Sequence, residues 1–505
     1  MKKRILSIAT VLVVILLSSA NLIACSFGGR DEILRIYNWE DYLSPDAIPQ
    51  FETWYTEQTG KRIKVEESGF STNEQMYTQI ASKKADYDLI VPSDYMIAHM
   101  RTENLLQPID PSIVYGDYIE EQDGEYSDDI LNDVYSQDIL DIIKGSFDPT
   151  MQYVVPYLWG TVGILYDPVR GSDDLSDAVH SWDAIFGSQF ASKIYMADSV
   201  TDAYGIASIW TNSNELKSNN IEPNSEAHKD WVEDTINNVE PENIDKVKQE
   251  LINQRPNVLA YAVDDANERL ATASDTAGWL AMVWSVQAGY AMDDNSDLRY
   301  IVPDEGSNSW IDGFVIPKTA KNTYAANYFL KFLLQDDIAY ENMDYIGATS
   351  PIKSVAEDYQ DDLLADVENL YTQLEYYNET GEWLDPNYEY EDHDPDYEWQ
   401  EWDSVADIQS EIEFQENYIY TLFPPEDVLN RVGGYTDWGD AKNDINMMWI
   451  QVKAGGTMND KFDYGIWIML ALLLASLGIT LTYRYWGDRV VGVMNRVNRR
   501  SRARV

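Results

Sequence analysis

From Ile33 onward, short apolar runs alternate with amphipathic stretches, and this alternation most limits what the chain can fold into. ILRIYN reads as a strand, and DAIPQFETWYTEQTG as a helix closed by Gly60. RIKVEES is a second strand, Asn73 opens a helix ending near Ser82, and YDLIVP is a nearly continuous apolar strand before a helix from about Ser93. Strands separated by helices predict βαβ units on a parallel sheet. The pattern resumes at YVVPYLWGTVGILYD and KIYMADS, passes through a helical region over 224–253, and returns in GWLAMVW, LRYIVP and SWIDGFVIP. A helix follows from about Tyr324 to Leu334. At 505 residues the chain has room for two or three domains.

The two ends place this α/β body at a membrane. Lys2, Lys3 and Arg4 precede an apolar run that continues to about Leu17, the layout of a secretory signal. The run leads to Leu22-Ile23-Ala24-Cys25, which resembles the lipobox of bacterial lipoproteins. That resemblance implies cleavage after residue 24 and acylation of Cys25, against the alternative of an ordinary buried cysteine. Residues 464–483 contain no charge and, as a helix, span about 30 Å, the thickness of a hydrocarbon core. Tyr464 and Trp467 suit one interface; Tyr483, Tyr485 and Trp486 suit the other. The arginine-rich tail 484–505 then belongs in the cytoplasm by the positive-inside bias, with the main domain outside the cell at the membrane.

Charge sharpens the picture. The whole chain carries −51, and with the basic leader and tail set aside, residues 26–483 hold −60. So acidic a surface excludes phosphate-backbone binding, and no nucleic-acid partner is expected. A single cysteine excludes a disulfide framework and a multi-thiolate zinc site. The four histidines lie far apart, so no metal site is expected. Residues 385–403 hold nine acids and five aromatics without Lys or Arg, and read as a solvated surface insertion, with Ca²⁺ binding as the alternative.

In open α/β sheets, ligands bind beyond the carboxyl ends of strands. Here those ends repeat one chemical theme. Trp39, Asp41 and Tyr42 follow the first strand; Ser93 and Tyr95 follow YDLIVP; Asp198, Ser199 and Asp202 follow KIYM. Trp284 ends GWLAMVW, and Trp310 and Asp312 lie in SWIDGF. Aromatic faces stabilise ammonium groups by about 0.5–2 kcal/mol each, and a carboxylate adds a charge-assisted hydrogen bond. A linear aliphatic polyamine wants acids at its ends and flat apolar walls between. Any one Trp at a strand end is as readily core or rim, and any one Asp a helix cap; it is the recurrence at five strand ends that points to a cation.

The strings LRIYNWEDYLSP, YDLIVPSDYM, YVVPYLWGTVGILYD, VPDEGSNSWIDGFVIPK and DYIGATSP resemble the spermidine/putrescine-binding proteins of polyamine ABC transporters, over roughly 34–455. The resemblance implies a two-lobed α/β fold of the type II periplasmic-binding class, with hinge strands crossing between lobes; the C-terminal transmembrane helix and the acidic insertion are not standard parts of that family. The same resemblance implies a first lobe of 30–145 and 312–352 and a second of 146–311 and 353–455, the acidic insertion lying at about 356–415. Trp39 and Tyr42 would wall one side with Asp41 nearby, and Ser93 and Tyr95 would come from the next strand end. Asp202 would meet an amine, and Ser199 stands where another member has Asp. Trp284 and Trp310 would be further walls, and Asp312 would pair with a terminal ammonium. Two positions depart from the family: Ala348 replaces a pocket Tyr, and Tyr435 falls where one member has Gln. The implied partners are a polyamine, permease subunits and the membrane. Neither a cofactor nor a catalytic residue is expected. The competing readings are a binding protein for another small cation, a sensor that does not transport, and a carboxylate-pair glycosidase.

Overall fold

The computed structural model describes residues 29–83, 85–121, 127–168, 170, 175–262, 270, 278–383 and 402–455. Cys25, the leader, residues 384–401, the apolar run 464–483 and the tail 484–505 lie outside the described residues. Among those described, no helix is long and apolar enough to cross a membrane.

Eleven strands form the sheet: β1 (Ile33–Trp39), β2 (Lys64–Phe70), β3 (Leu89–Ile90), β4 (Leu106–Gln107), β5 (Val154–Tyr166), β6 (Ile194–Ala197), β7 (Val258–Ala262), β8 (Leu280–Trp284), β9 (Arg299–Ile301), β10 (Ser307–Pro317) and β11 (Val432–Gly433). The order is β2-β1-β3-β10-β5-β8-β6-β7, with β4 and β11 on β10 and β9 on β5. β1 is parallel to β2 and β3, and β6 is parallel to β7 and β8.

The expected all-parallel sheet is corrected here. β10 runs antiparallel to β3 and β5, and β5 antiparallel to β8. β5 and β10 are the long strands: β10 borders one parallel group through β3, β5 borders the other through β8, and the two pair with each other. β5 pairs β10 through its first half and β8 through its last residues. A chain that crosses from one group to the other and later returns lays down an antiparallel pair at the junction. The strand expected at YDLIVP is also shorter than its apolar run. Its ladder covers Leu89–Ile90, Val91 N–H still donates to Tyr37 O at 3.2 Å, and Pro92 has no N–H to continue.

Helices pack on both faces. Ala47–Thr59 buries Ala47, Phe51 and Tyr55, four residues apart on one stripe, and ends at Gly60 with φ 69°. Phe51 meets Phe329 and Phe332 with centroids 4.8 and 5.5 Å apart. Burying a Phe side chain contributes about 1.5–3 kcal/mol. The helical region expected over 224–253 divides into Glu226–Ile236 and Pro241–Gln254, since Pro241 favours the first turn of a new helix over the interior of an old one.

Residues 385–401 of the stretch read as a solvated insertion lie outside the described residues, whereas the flanks of the wider insertion at about 356–415 are helical. Lys353–Thr380 and Val405–Leu422 pack against each other. Leu370, Ile408 and Ile412 form a small core of their own, covered by Leu374, Trp383 and Trp402. Trp402 donates its indole N–H to Gln373 Oε1 at 3.0 Å. The acids occupy the outward faces of an amphipathic pair whose inward faces have their own core. The first of these helices also packs on Asp336–Ile346, and the second on Ser285–Asp294 and β9.

Candidate functional site

The carboxyl ends of β1, β3, β6 and β8 converge on the middle of β10. Asp312 sits where β10 shifts register, between Asp312 and Gly313, beside an isolated bridge to Ser93. A bulge of this kind re-aims a side chain out of the regular pleat. Ser93 is held in turn by Asn73, whose amide donates to Ser93 Oγ at 3.0 Å and whose carbonyl accepts Ser93 N–H at 3.2 Å. Trp310 lies two residues before Asp312 and packs on Gly160 of β5. A Cβ at Gly160 would come within 2.6 Å of the indole, so only glycine leaves room for this ring.

Asp202 lies in the first turn of Val200–Asn212, a helix capped by Ser199, whose Oγ accepts Asp202 N–H at 3.3 Å. Its carboxylate accepts from Trp284 Nε1 at 3.1 Å and from Asn308 Nδ2 at 3.3 Å. Tyr435 is buried against Gly205 of the same helix; a Cβ there would sit 2.3 Å from its hydroxyl.

A third acid joins Asp202 and Asp312. Asp94 is 1% exposed, and its Oδ1 accepts Tyr95 N–H at 2.6 Å. Burial raises the pKa of all three. Asp202 is pushed up to about 6 by loss of solvation, against the opposing donors Ser199, Trp284, Asn308 and Tyr435. Asp312 is pushed up to about 6 by the same cause, against the Ser93 and Tyr42 hydroxyls. Asp94 is raised well above the carboxylate range by burial, with the charges of Asp312 and Asp202 adding to it. Among the described residues no three His, Cys, Asp or Glu side chains converge to hold a metal, so the acids are spread through the site.

Several buried polar atoms here have no protein hydrogen-bond partner: Tyr42 Oη, Asp94 Oδ2, Asn308 Oδ1, Asp312 Oδ1 and Tyr435 Oη. Tyr42 lies beside Asp312, and Tyr435 beside Asp202, without alignment for a good hydrogen bond. An unpaired buried polar group costs about 1–3 kcal/mol, so such a concentration marks a place built for something else to bind.

Of the residues singled out from the sequence, the structure brings together Tyr42, Ser93, Tyr95, Asp202, Trp284, Trp310, Asp312 and Tyr435, while Trp39 ends β1 and packs on Phe70 with centroids 4.6 Å apart. Asp41 is not among them. It is exposed and takes φ 54° in the turn after β1, which carries its side chain into solvent. Ser199 is half-buried and acts as a helix cap. Asp198 is occupied by Trp449 Nε1 at 3.1 Å and Lys453 Nζ at 2.8 Å. Ala348 is buried. Asp94, Asn73, Asn308 and Tyr157 were missed. Tyr157 packs edge-on to Tyr42 with centroids 5.6 Å apart. Asp94 had a signal, since it stands between two residues that were named.

A separate cleft of about 500 Å³ is lined by Trp159, Thr349, Gln137 and Lys353, among others. Trp159 pairs with Ile311, so it faces the side of the β5–β10 ribbon opposite Trp310 and Asp312.

Comparison with known proteins agrees with this architecture. The spermidine/putrescine-binding periplasmic protein of Salmonella typhimurium is 28% identical over 64% of this chain and 78% of its own length. The putrescine-binding periplasmic protein PotF of Escherichia coli is 26% identical over 64% and 80% respectively. Among solved structures, the spermidine/putrescine ABC transporter substrate-binding protein PotD of Streptococcus pneumoniae superposes with a TM-score of 0.55 at 25% identity, covering 84% of this chain and 99% of that one. The family model for bacterial extracellular solute-binding proteins matches residues 51–369. With the two-group α/β sheet and the acid-lined site at its junction, the chain belongs to the bacterial extracellular solute-binding proteins, a family of solute binders rather than enzymes.

Proposed function

We propose that the protein captures a linear polyamine, putrescine or spermidine, outside the cell and hands it to the permease of an ABC transporter. The observation that carries this reading is the set of three buried carboxylates, Asp94, Asp202 and Asp312, among the rings of Tyr42, Tyr95, Trp284, Trp310 and Tyr435. Buried acids raised in pKa are costly as anions and become favourable once a cation supplies the missing charge. Spread acids suit separate ammonium groups, and the rings suit both ammonium faces and the methylenes between them. The names of the relatives point the same way.

The mechanism is closure. Two lobes, 30–145 with 312–352 and 146–311 with 353–455, hinge on the crossing strands β5 and β10. A ligand touching both stabilises the closed state that a permease would recognise. Asp312 pairs with one terminal ammonium and Asp202 with another amine, while Tyr435 takes over a wall position that Ala348 leaves open. At its ends the chain is held by acylation at Cys25 and by a transmembrane helix at 464–483, with the basic tail in the cytoplasm. The uncharged length of that run and the arginines beyond it support this.

Isothermal titration with putrescine and spermidine tests the ligand. Saturable binding with micromolar or tighter Kd to at least one is expected. No heat with either up to millimolar concentration refutes it. Mass spectrometry of the mature N-terminus tests cleavage and acylation at Cys25.

A further inference from the structure

One cation already stands at the Tyr95 edge of the acid-lined site. Lys442 lies in the first turn of Ala441–Lys453, a half-buried side chain whose ammonium is shielded from solvent and held in an ion pair. It stands 4.2 Å over the ring of Tyr95 and 3.0 Å from Glu74 Oε1. The Tyr95 hydroxyl donates to the same Glu74 oxygen at 3.3 Å. A cation in the first turn of a helix opposes the helix dipole, so local helix energetics do not explain the placement. The carboxylate and the aromatic face do. They are the same two elements that the rest of the site offers to a ligand.

Tyr95 connects this corner to the site. Its hydroxyl feels the charges of Glu74, Asp202 and Asp94, while Asp312 lies at the other end beside Tyr42 and Ser93. Lys442 therefore fills, from within the chain, a subsite formed by Glu74 and Tyr95 that has the chemistry of an ammonium site. A ligand amine arriving there meets a like charge and must displace a tethered one.

We infer that Lys442 is a specificity-determining residue that acts as an internal amine, so that the protein favours a four-carbon diamine over a longer triamine. This inference rests on the polyamine reading above. A diamine uses the acids left free, Asp202 and Asp312. The extra ammonium of a triamine competes with Lys442 for Glu74 and Tyr95.

The experiment is isothermal titration of the full chain and of Lys442→Met and Lys442→Arg with putrescine and spermidine, with thermal melting to verify folding. The unaltered chain should bind putrescine more tightly. Lys442→Met, which keeps the length and removes the charge, should shift the affinity ratio toward spermidine by about tenfold or more. Lys442→Arg should keep the original preference. A ratio that moves by less than about threefold in Lys442→Met overturns the inference. So does an equal loss for both ligands, which would make Lys442 a support of the fold or a clasp for closure. If neither amine binds the unaltered chain or the variants, the polyamine reading falls and this inference falls with it. If both bind and the ratio stays fixed, only the role of Lys442 is refuted.

Discussion

Asp202 and Asp312 make ligand capture and stability depend on pH in opposite senses. Each carboxyl is raised by burial from 3.8 to about 6. At 1.36 kcal/mol per unit, that is roughly 3 kcal/mol of destabilisation per residue when ionised. The cost is fully present above pH about 6, where folded and unfolded chains are both deprotonated. It is relieved as pH falls through 6 toward 3.8, because only the folded state then holds the extra protons. The ligand-free protein should therefore gain stability from these two groups on going from pH 7.5 to 5. Polyamine binding should do the reverse. A diamine stays doubly charged over this range, but each acid must be ionised to meet an ammonium. With a free-state pKa near 6, protonation at pH 5 weakens binding about tenfold per acid, or about a hundredfold if both contact amines. Isothermal titration with putrescine at pH 5, 6 and 7.5, in buffers of different ionisation enthalpy, measures the affinity and the protons released. About one proton in total should leave at pH 6. An affinity that is flat from pH 7.5 to 5, with no proton release at pH 6, would refute the assignment of both acids to ammonium contacts.

Three further outcomes follow from single contacts. Asp94→Asn replaces a buried carboxyl whose Oδ2 has no partner and whose ionisation burial opposes; the ligand-free melting temperature should not fall at pH 7.5 while polyamine affinity falls by tenfold or more, about 1.4 kcal/mol. Gly205→Ala places a Cβ 2.3 Å from the Tyr435 hydroxyl; it should cost about 1–3 kcal/mol in chemical denaturation and weaken binding, since Tyr435 has to move. Ile412→Ala opens the small core between the two insertion helices; it should cost about 2–5 kcal/mol locally, seen as faster amide exchange over 405–422, with Kd unchanged.

Strand ends carried the legible part of the site. Trp284 and Asp202 lie 82 positions apart yet are joined by a hydrogen bond of 3.1 Å, and both were found because each follows an apolar strand. Where the signal was local, the reading was sound, as in the helix that Gly60 closes. Asp41 misled because adjacency to Trp39 and Tyr42 says nothing of direction, and a left-handed residue turned it outward. Asp94 went unnamed because nothing local separates it from an ordinary first-turn helix acid, and only packing shows that it is buried.

By itself the sequence determined the alternation of strands and helices and the aromatic and acidic theme at the strand ends. These are written in spacing and residue type, which act over a few positions. Tertiary structure alone decided that β5 and β10 run antiparallel between two parallel groups, that Asp94 joins Asp202 and Asp312, and that Lys442 reaches Tyr95 and Glu74. Burial is a property of the packed whole. It turns three ordinary carboxylates into groups raised in pKa, and no local pattern along the chain records it.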